Sequence, residues 1–344
     1  MSFAVIASLT VAGGLPATTQ LTQFEGQVRS VYEQTALVHR IGFTEVRKCA
    51  PGESGTVFTL TGRANADSAT KAKGVPFAEG ESGKFNISTT YEAPEGLAQH
   101  YDWTDLGDAR YNTMAQNAAD QVIVEGEIRD KRLIAMLLKT SLLSAEAGYL
   151  KAPGMIAHNS TSYNTFNDYY TLDNTGAERV YADLLDLYTD MTNSNRKKGP
   201  KWLCLMRVSV RNALRMGTRF TSRDYDPNAD IKGDVLNQLL GVQIVEVPDH
   251  LWPAVDATYA DKSFSKYNVA GHYQGATGAP AFFLINYGNG ISPIAETMPP
   301  SMGGITVRAY SDEAAEVDST LVKARYSYDS LYRDAVGVSL VRDA

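Results

Sequence analysis

Cysteine is almost missing from this sequence: Cys49 and Cys204 are the only two in 344 residues, far apart and outside any CxxC or Cys/His cluster. That excludes a disulfide framework and a cysteine-built zinc site, and two reduced thiols are expected. Histidine is scarce as well. His39, His100, His158, His250 and His272 show no HxxxH or HxH spacing, so no metal-ligand motif is present. The apolar stretch Phe3 to Leu15 is shorter than the roughly 20 residues of a membrane span. Met1 to Gln20 also lack Lys and Arg, the basic flank of a secretory signal, so this stretch reads as an arm, flexible or docked on a partner. Positive charge is in deficit: the net charge is −7, whereas proteins that hold nucleic-acid phosphates need a basic face. Tight DNA binding is not expected.

Apolar residues form 44% of the chain and charged residues 21%, the balance of a globular protein. Its length suggests two packed units or one elaborated α/β domain. Phe24 to Ile41 places Val28, Val31, Tyr32, Leu37 and Val38 near helical spacing. Gly55 to Gly62 and Lys84 to Tyr91 alternate apolar residues with threonine and read as two strands. The span from Glu53 to Glu92 is therefore expected to be one long hairpin with a basic tip around Arg63 to Lys73. An isolated two-stranded ribbon is marginal in water, so the hairpin implies oligomerisation. Asn112 to Ala147 contains no proline and only Gly126, with Ala115, Ala118, Ala119, Val122, Leu133 and Leu137 in register for a helix about 50 Å long.

A Ser/Thr/Asn/Tyr-rich connection, Lys151 to Thr171, is followed by a second helix. It opens on the capping box Thr175, Gly176, Ala177, Glu178 and presents Val180, Leu184, Leu187, Tyr188 and Met191 on one face. Trp202 to Met206 reads as a buried strand, Ser209 to Met216 as a short helix, Asp234 to Leu240 as helical and Val242 to Val247 as a strand closed by Pro248. Further strands are expected at Ala281 to Ile285, Ile305 to Arg308, Leu321 to Tyr328 and Val336 to Val341. The mixture is an α+β pattern without a regular βαβ period.

Each motif that resembles chemistry has a plainer explanation. Ala78 to Phe85 brushes against a phosphate-binding loop through Gly83 and Lys84, but Ala78 replaces the first glycine and Phe85 the magnesium-binding hydroxyl. Asp224, Asp226, Asn228 and Asp230 mimic a calcium loop, but Ala229 stands for the required glycine and Val235 for the bidentate glutamate. Gly52 to Gly55 is followed by Thr56 and is not preceded by a strand, so Ser54 is no nucleophile elbow. Asp102, Asp105 and Asp108 lead into the long helix, where acids complement its positive end. No catalytic, cofactor or metal residue is assigned.

The order of elements resembles the Hong Kong 97-type fold of tailed-phage major capsid proteins, from Phe24 to Val341. The motifs that carry the likeness are FEGQVRSVYEQ entering the hairpin, HYDWTDLGD leading into the long helix, WLCLMRVSVRNAL, GDVLNQLLGVQIVEVPDHL, and the closing AFFLINYGNGISPIAE, ITVRAYSDE and YRDAVGVSLV. The layout looks most like the short-tailed, podovirus group. The resemblance implies an arm and first helix over 1–52, an extended loop over 53–92, and a peripheral domain over 93–198 containing the spine helix 112–147. It implies an axial domain over 199–279 and return strands over 280–344. The implied function is an icosahedral head of hexamers and pentamers enclosing double-stranded DNA, with a separate scaffolding protein, a portal and an optional cement protein, and no cofactor or membrane. The implied location is the virion, with host cytoplasm during assembly, and Lys71 and Lys73 raise the question of covalent cross-links. An encapsulin-type nanocompartment shell is the nearest alternative, and a hydrolase or nucleotide-binding enzyme on the α+β core is the alternative of another class.

Overall fold

A computed structural model describes residues 37–48, 54–60, 82–88, 95–102, 110–146, 155–158, 166–194, 199–217, 231–232, 235–236, 238–253, 279–298, 305–312, 317–324 and 326–341. In chain order, β1 is Glu45–Lys48, β2 Ser54–Leu60, β3 Ser82–Ser88 and β4 Glu95–Asp102, ahead of the 37-residue helix α1, Arg110–Glu146. Then come β5 (Met155–His158), α2 (Phe166–Tyr169), α3 (Asn174–Ser194), β6 (Lys201–Arg207) and α4 (Val208–Arg215). Four strands follow: β7 (Ile231–Lys232), β8 (Val235–Leu236), β9 (Gln238–Leu239) and β10 (Val242–Val247). The chain closes with β11 (Ala279–Tyr287), β12 (Ile294–Met298), β13 (Ile305–Asp312), β14 (Val317–Ala324), β15 (Ser327–Ser330) and β16 (Val336–Val341).

The centre is a six-stranded mixed sheet in the order β5-β16-β11-β6-β10-β9. Successive strand side chains point to opposite faces, and here both faces are covered. Leu203, Leu205, Phe283, Ile285, Val336, Val338 and Leu340 pack on one side with Leu133 to Leu138 of α1. Cys204, Met206, Phe282 and Leu284 face the other side, against Val180, Leu184, Leu187 and Met191 of α3 and Val210, Ala213 and Leu214 of α4. This explains why the strands read as continuous apolar runs, as strands buried on both faces do. It also explains the run of consecutive buried apolar residues from Leu133 to Leu138 on α1. That part of the helix lies between the sheet and a second wall made of Tyr326, Tyr328, Val38 and Phe43.

Two smaller sheets flank α1. One is β1-β12-β15, with β1 parallel to β12; the other is β13-β14-β4, antiparallel and paired over eight residues at each step. The hairpin strands β2 and β3 pair from Ser54↔Ser88 to Leu60↔Ser82; the tip residues 61–81, with Lys71 and Lys73, lie outside the described residues.

Several expectations change. Asp234 to Leu240 is not helical: Val235–Leu236 and Gln238–Leu239 are short strands. Leu240 and Gly241 have φ of +55° and +76°, and this left-handed pair turns β9 directly into β10. A two-residue turn with positive φ at both central positions favours Asn-Gly and rarely takes leucine, so the sequence carries no hairpin signal here. Leu321 to Tyr328 is not one strand but the end of β14 and the start of β15, which belong to different sheets. The second helix starts before its supposed capping box. Its cap is Asp173, whose Oδ1 accepts the Gly176 N–H at 2.8 Å and the Thr171 hydroxyl at 2.7 Å. These bonds hold the Asp173 carboxyl below its ordinary value, the Thr171 bond contributing most. The helix expected from Phe24 lies mostly outside the described residues, and its end, His39–Ile41, is a single 3₁₀ turn. β6 and β10 pair in parallel with α4 between them in sequence, a βαβ-like step within the α+β layout.

The join between β6 and β11 is a close backbone approach. Asn286 is fully buried, accepts the Gly199 N–H at 2.6 Å and donates to the Gly199 and Lys201 carbonyls at 3.0 and 3.2 Å. A Cβ on Gly199 falls 2.2 Å from the Tyr287 carbonyl oxygen, which no rotamer relieves. Gly199→Ala is therefore expected to cost about 1–3 kcal/mol of stability through overpacking and loss of the Asn286 geometry. Urea denaturation read by tryptophan fluorescence checks this; an unchanged midpoint means that the two segments are not in register as described.

Candidate functional site

The charges of α1 are not arranged as an amphipathic surface helix has them. Gln121, Glu125, Arg129, Asp130 and Arg132 are all buried, on the half of the helix that precedes its apolar stretch. Arg129, Asp130 and Arg132 form a polar seam between α1, the chain entering at Leu37 and the β1-β12-β15 sheet. Asp130 accepts the backbone N–H of Val38 at 3.1 Å and of His39 at 3.0 Å. Burial pushes its carboxyl above the ordinary value, and those backbone bonds and His39 only partly offset this. Arg129 reaches the Glu296 carboxylate of β12 and donates to the Tyr328 hydroxyl of β15 at 3.2 Å. His39 Nδ1 lies 3.2 Å from the other Glu296 oxygen. For Glu296 burial pushes the carboxyl upward, but Arg129 and His39 outweigh it and the net shift is downward. The Arg129 and Arg132 guanidinium groups stand over the Tyr326 ring at 5.3 and 5.4 Å, and Arg132 donates to its hydroxyl at 3.2 Å. The seam fixes three chain segments to one helix, with Arg129 and Glu296 as its buried ion pair.

A second polar group lies on the opposite face of the central sheet. Tyr170 donates to Asp183 Oδ2 at 2.6 Å and meets Ser339 Oγ of β16 at 3.0 Å, while His158 Nε2 of β5 lies 2.9 Å from the same Asp183 oxygen. The His158 ring stacks on Tyr169 at 4.0 Å, and the Arg179 guanidinium stands over the Tyr169 ring at 5.0 Å. Serine, histidine and aspartate are all present, but the geometry is not that of an activated nucleophile. The Ser339 hydroxyl meets Tyr170 rather than the imidazole, and it is fully buried. Burial and the Asp183 charge push the Tyr170 hydroxyl well above its usual range, so it remains a donor. This cluster ties the edge strand β5 and α2 to α3.

The residues singled out from the sequence are scattered. Asp224, Asp226, Asn228, Asp230, Asp105, Asp108 and His272 lie outside the described residues, as do Ala78 to Glu81 and Gly52–Glu53. Ser54 and Gly55 are in β2, Ser82 to Phe85 in β3, and His100 and Asp102 in β4. His250 is exposed, 3.9 Å from Glu127 of α1. Cys204 is buried in β6, where burial pushes its thiol far up. Among the described residues no group of three or more His, Cys, Asp or Glu side chains is placed to hold a metal. Sequence reasoning missed the roles of His39, Asp130, Arg129, Glu296, His158 and Asp183, because most of their partners are distant in sequence: Asp130 bonds the Val38 amide 92 residues away, and Arg129 meets Glu296 167 residues away.

No family model and no curated protein matches the sequence. Solved structures do match. The chain superposes on a subunit from the mature capsid of bacteriophage PhiM1 with a TM-score of 0.63 and 11% identity, over 88% of this chain and 86% of that one. The capsid of cyanophage P-SCSP1u gives 0.65 at 11% identity, over 88% and 87%. The capsid of the native GTA particle gives 0.55 at 14% identity, over 97% and 93%. At these identities the likeness speaks of architecture: the chain has the fold of bacteriophage capsid subunits.

Proposed function

We propose that this chain is a major capsid protein that assembles as hexamers and pentamers into an icosahedral phage head around double-stranded DNA. The observation that carries the reading is the superposition on phage capsid subunits over nearly the whole length of both partners. The paired strands β2 and β3 and the 37-residue α1 support it, since they are the elements expected of the extended loop and the spine. The division at 53–92, 93–198, 199–279 and 280–344, the podovirus subtype, and a separate scaffolding protein, portal and cement protein belong to the same proposal. So does location in the virion, reached from host cytoplasm. Among the described residues no helix is long and apolar enough to cross a membrane.

Shell formation needs no catalytic group. Many modest interfaces repeated by symmetry add up through multivalency, and weak contacts allow misplaced subunits to leave. Negative-stain electron microscopy of the purified chain is expected to show closed particles or ring-shaped capsomers near neutral pH. A chain that stays monomeric at high concentration, with and without scaffolding protein, overturns the proposal. Particles that enclose an enzyme instead of a genome identify the nanocompartment alternative, and turnover in a broad substrate screen the enzymatic one.

A further inference from the structure

The turn between β11 and β12 holds the single Asn-Gly dipeptide of the sequence, Asn289–Gly290. Both residues are exposed, with φ of +53° and +77°. Such a left-handed pair forms the two-residue turn that favours Asn-Gly. Gly288 and Ile291 close it from either side, Gly288 N–H donating to the Ile291 carbonyl at 2.9 Å and Ile291 N–H to the Gly288 carbonyl at 3.1 Å. The Gly290 N–H between them meets no backbone acceptor among the described residues. The turn thus combines an exposed side-chain amide, a neighbouring backbone nitrogen outside the hydrogen-bond ladder and a residue without a Cβ to obstruct its approach.

We propose that Asn289 is a site of spontaneous deamidation. Solvent hydroxide removes the Gly290 amide proton, and the nitrogen attacks Asn289 Cγ. The new N–Cγ bond closes a five-membered succinimide while the Cγ–Nδ2 bond breaks, and the departing nitrogen takes a proton from water and leaves as ammonia. Water then adds to one of the two ring carbonyls and opens the ring to aspartate or isoaspartate. No oxidant or enzyme is needed. Either product adds one negative charge, and isoaspartate also places a methylene in the main chain of a two-residue turn. The paired bonds of Gly288 and Ile291 cannot both survive that insertion, and Gly288 lies against Pro200 at the β6–β11 join. Asn286, three residues earlier, is the internal control: it is fully buried, its side chain is committed to Gly199 and Lys201, and Tyr287 follows it.

The inference is independent of the shell-forming reading. The test incubates the purified full chain in mildly alkaline buffer at physiological temperature and follows both asparagines by peptide mass spectrometry, with fragmentation that separates isoaspartate from aspartate. A gain of about one dalton at Asn289, split between the two isomers, with Asn286 unchanged and the gain abolished in Asn289→Gln, is the expected result. Circular dichroism during the incubation verifies that the chain stays folded. Retention of the Asn289 amide in the folded protein, whatever the denatured chain does, overturns the proposal.

Discussion

Leu137→Asp is expected to abolish soluble folding, whereas Glu127→Ala on the same helix is expected to leave stability within about 0.5 kcal/mol of the parent. Leu137 is fully buried between the central sheet and the Tyr326/Tyr328 wall. A carboxylate there has no cation among the apolar side chains of its cluster. Burying an unpaired charge costs several kcal/mol even after it neutralises by taking up a proton, and the lost leucine packing adds about 2–5 kcal/mol. Together these rival the roughly 5–15 kcal/mol that holds a typical domain. Val122→Asp, at another fully buried position earlier on the helix than the apolar stretch, is expected to behave in the same way. Glu127 is exposed, and its one described ionic neighbour, His250, is exposed too and 3.9 Å away. Lys131, which the helical pattern also places outside, is half-buried, so Glu127 is the cleaner control. Expression yield, circular dichroism and thermal melts measure the contrast. Equal tolerance at positions 127 and 137 means that α1 does not pack as described.

The long helix was the most legible element because its signal is redundant: no proline, one glycine and apolar residues in register over ten turns. Trp202 to Met206, Val242 to Val247 and Val336 to Val341 were legible for a related reason, since strands covered on both faces leave uninterrupted apolar runs. Glu95–Asp102 was not. Its sequence, EGLAQHYD, alternates weakly, and what makes it a strand is its eight-residue pairing with β14, more than 200 residues later. β5 and β12 likewise owe their form to pairing with distant strands. The polar seam was hidden for a different reason. Charges at three- and four-residue spacing on a helix normally mark the solvent face, yet here Glu125, Arg129, Asp130 and Arg132 face protein.

Arg129→Met tests whether the seam is a set of paired charges or a coincidence of burial. Arg129 is 2% exposed and Glu296 is fully buried, so removal of the guanidinium leaves a carboxylate in a dry site with the Tyr328 hydroxyl and the partly exposed His39 as its neighbours. Breaking a buried pair from one side is expected to cost about 3–5 kcal/mol. The double variant Arg129→Met/Glu296→Gln is expected to recover a large part of that loss, because glutamine keeps an acceptor for Tyr328 and carries no charge to bury. The coupling between the two positions, read from a double-mutant cycle by chemical denaturation, then has the sign of a rescue. The pH dependence follows from the downward shift at Glu296. A carboxyl whose folded value lies below its unfolded value, about 4.3, contributes its full stability above that value and loses it as pH falls through the folded one. Asp130, shifted upward, has the opposite sign in both proteins and cancels in the comparison. The stability gap between the parent and the double variant should therefore narrow on acidification below the ordinary glutamate range. A gap that stays constant with pH, or a double variant no more stable than Arg129→Met alone, shows that Glu296 is not held as the partner of Arg129, and that α1 and the β1-β12-β15 sheet are joined by packing alone.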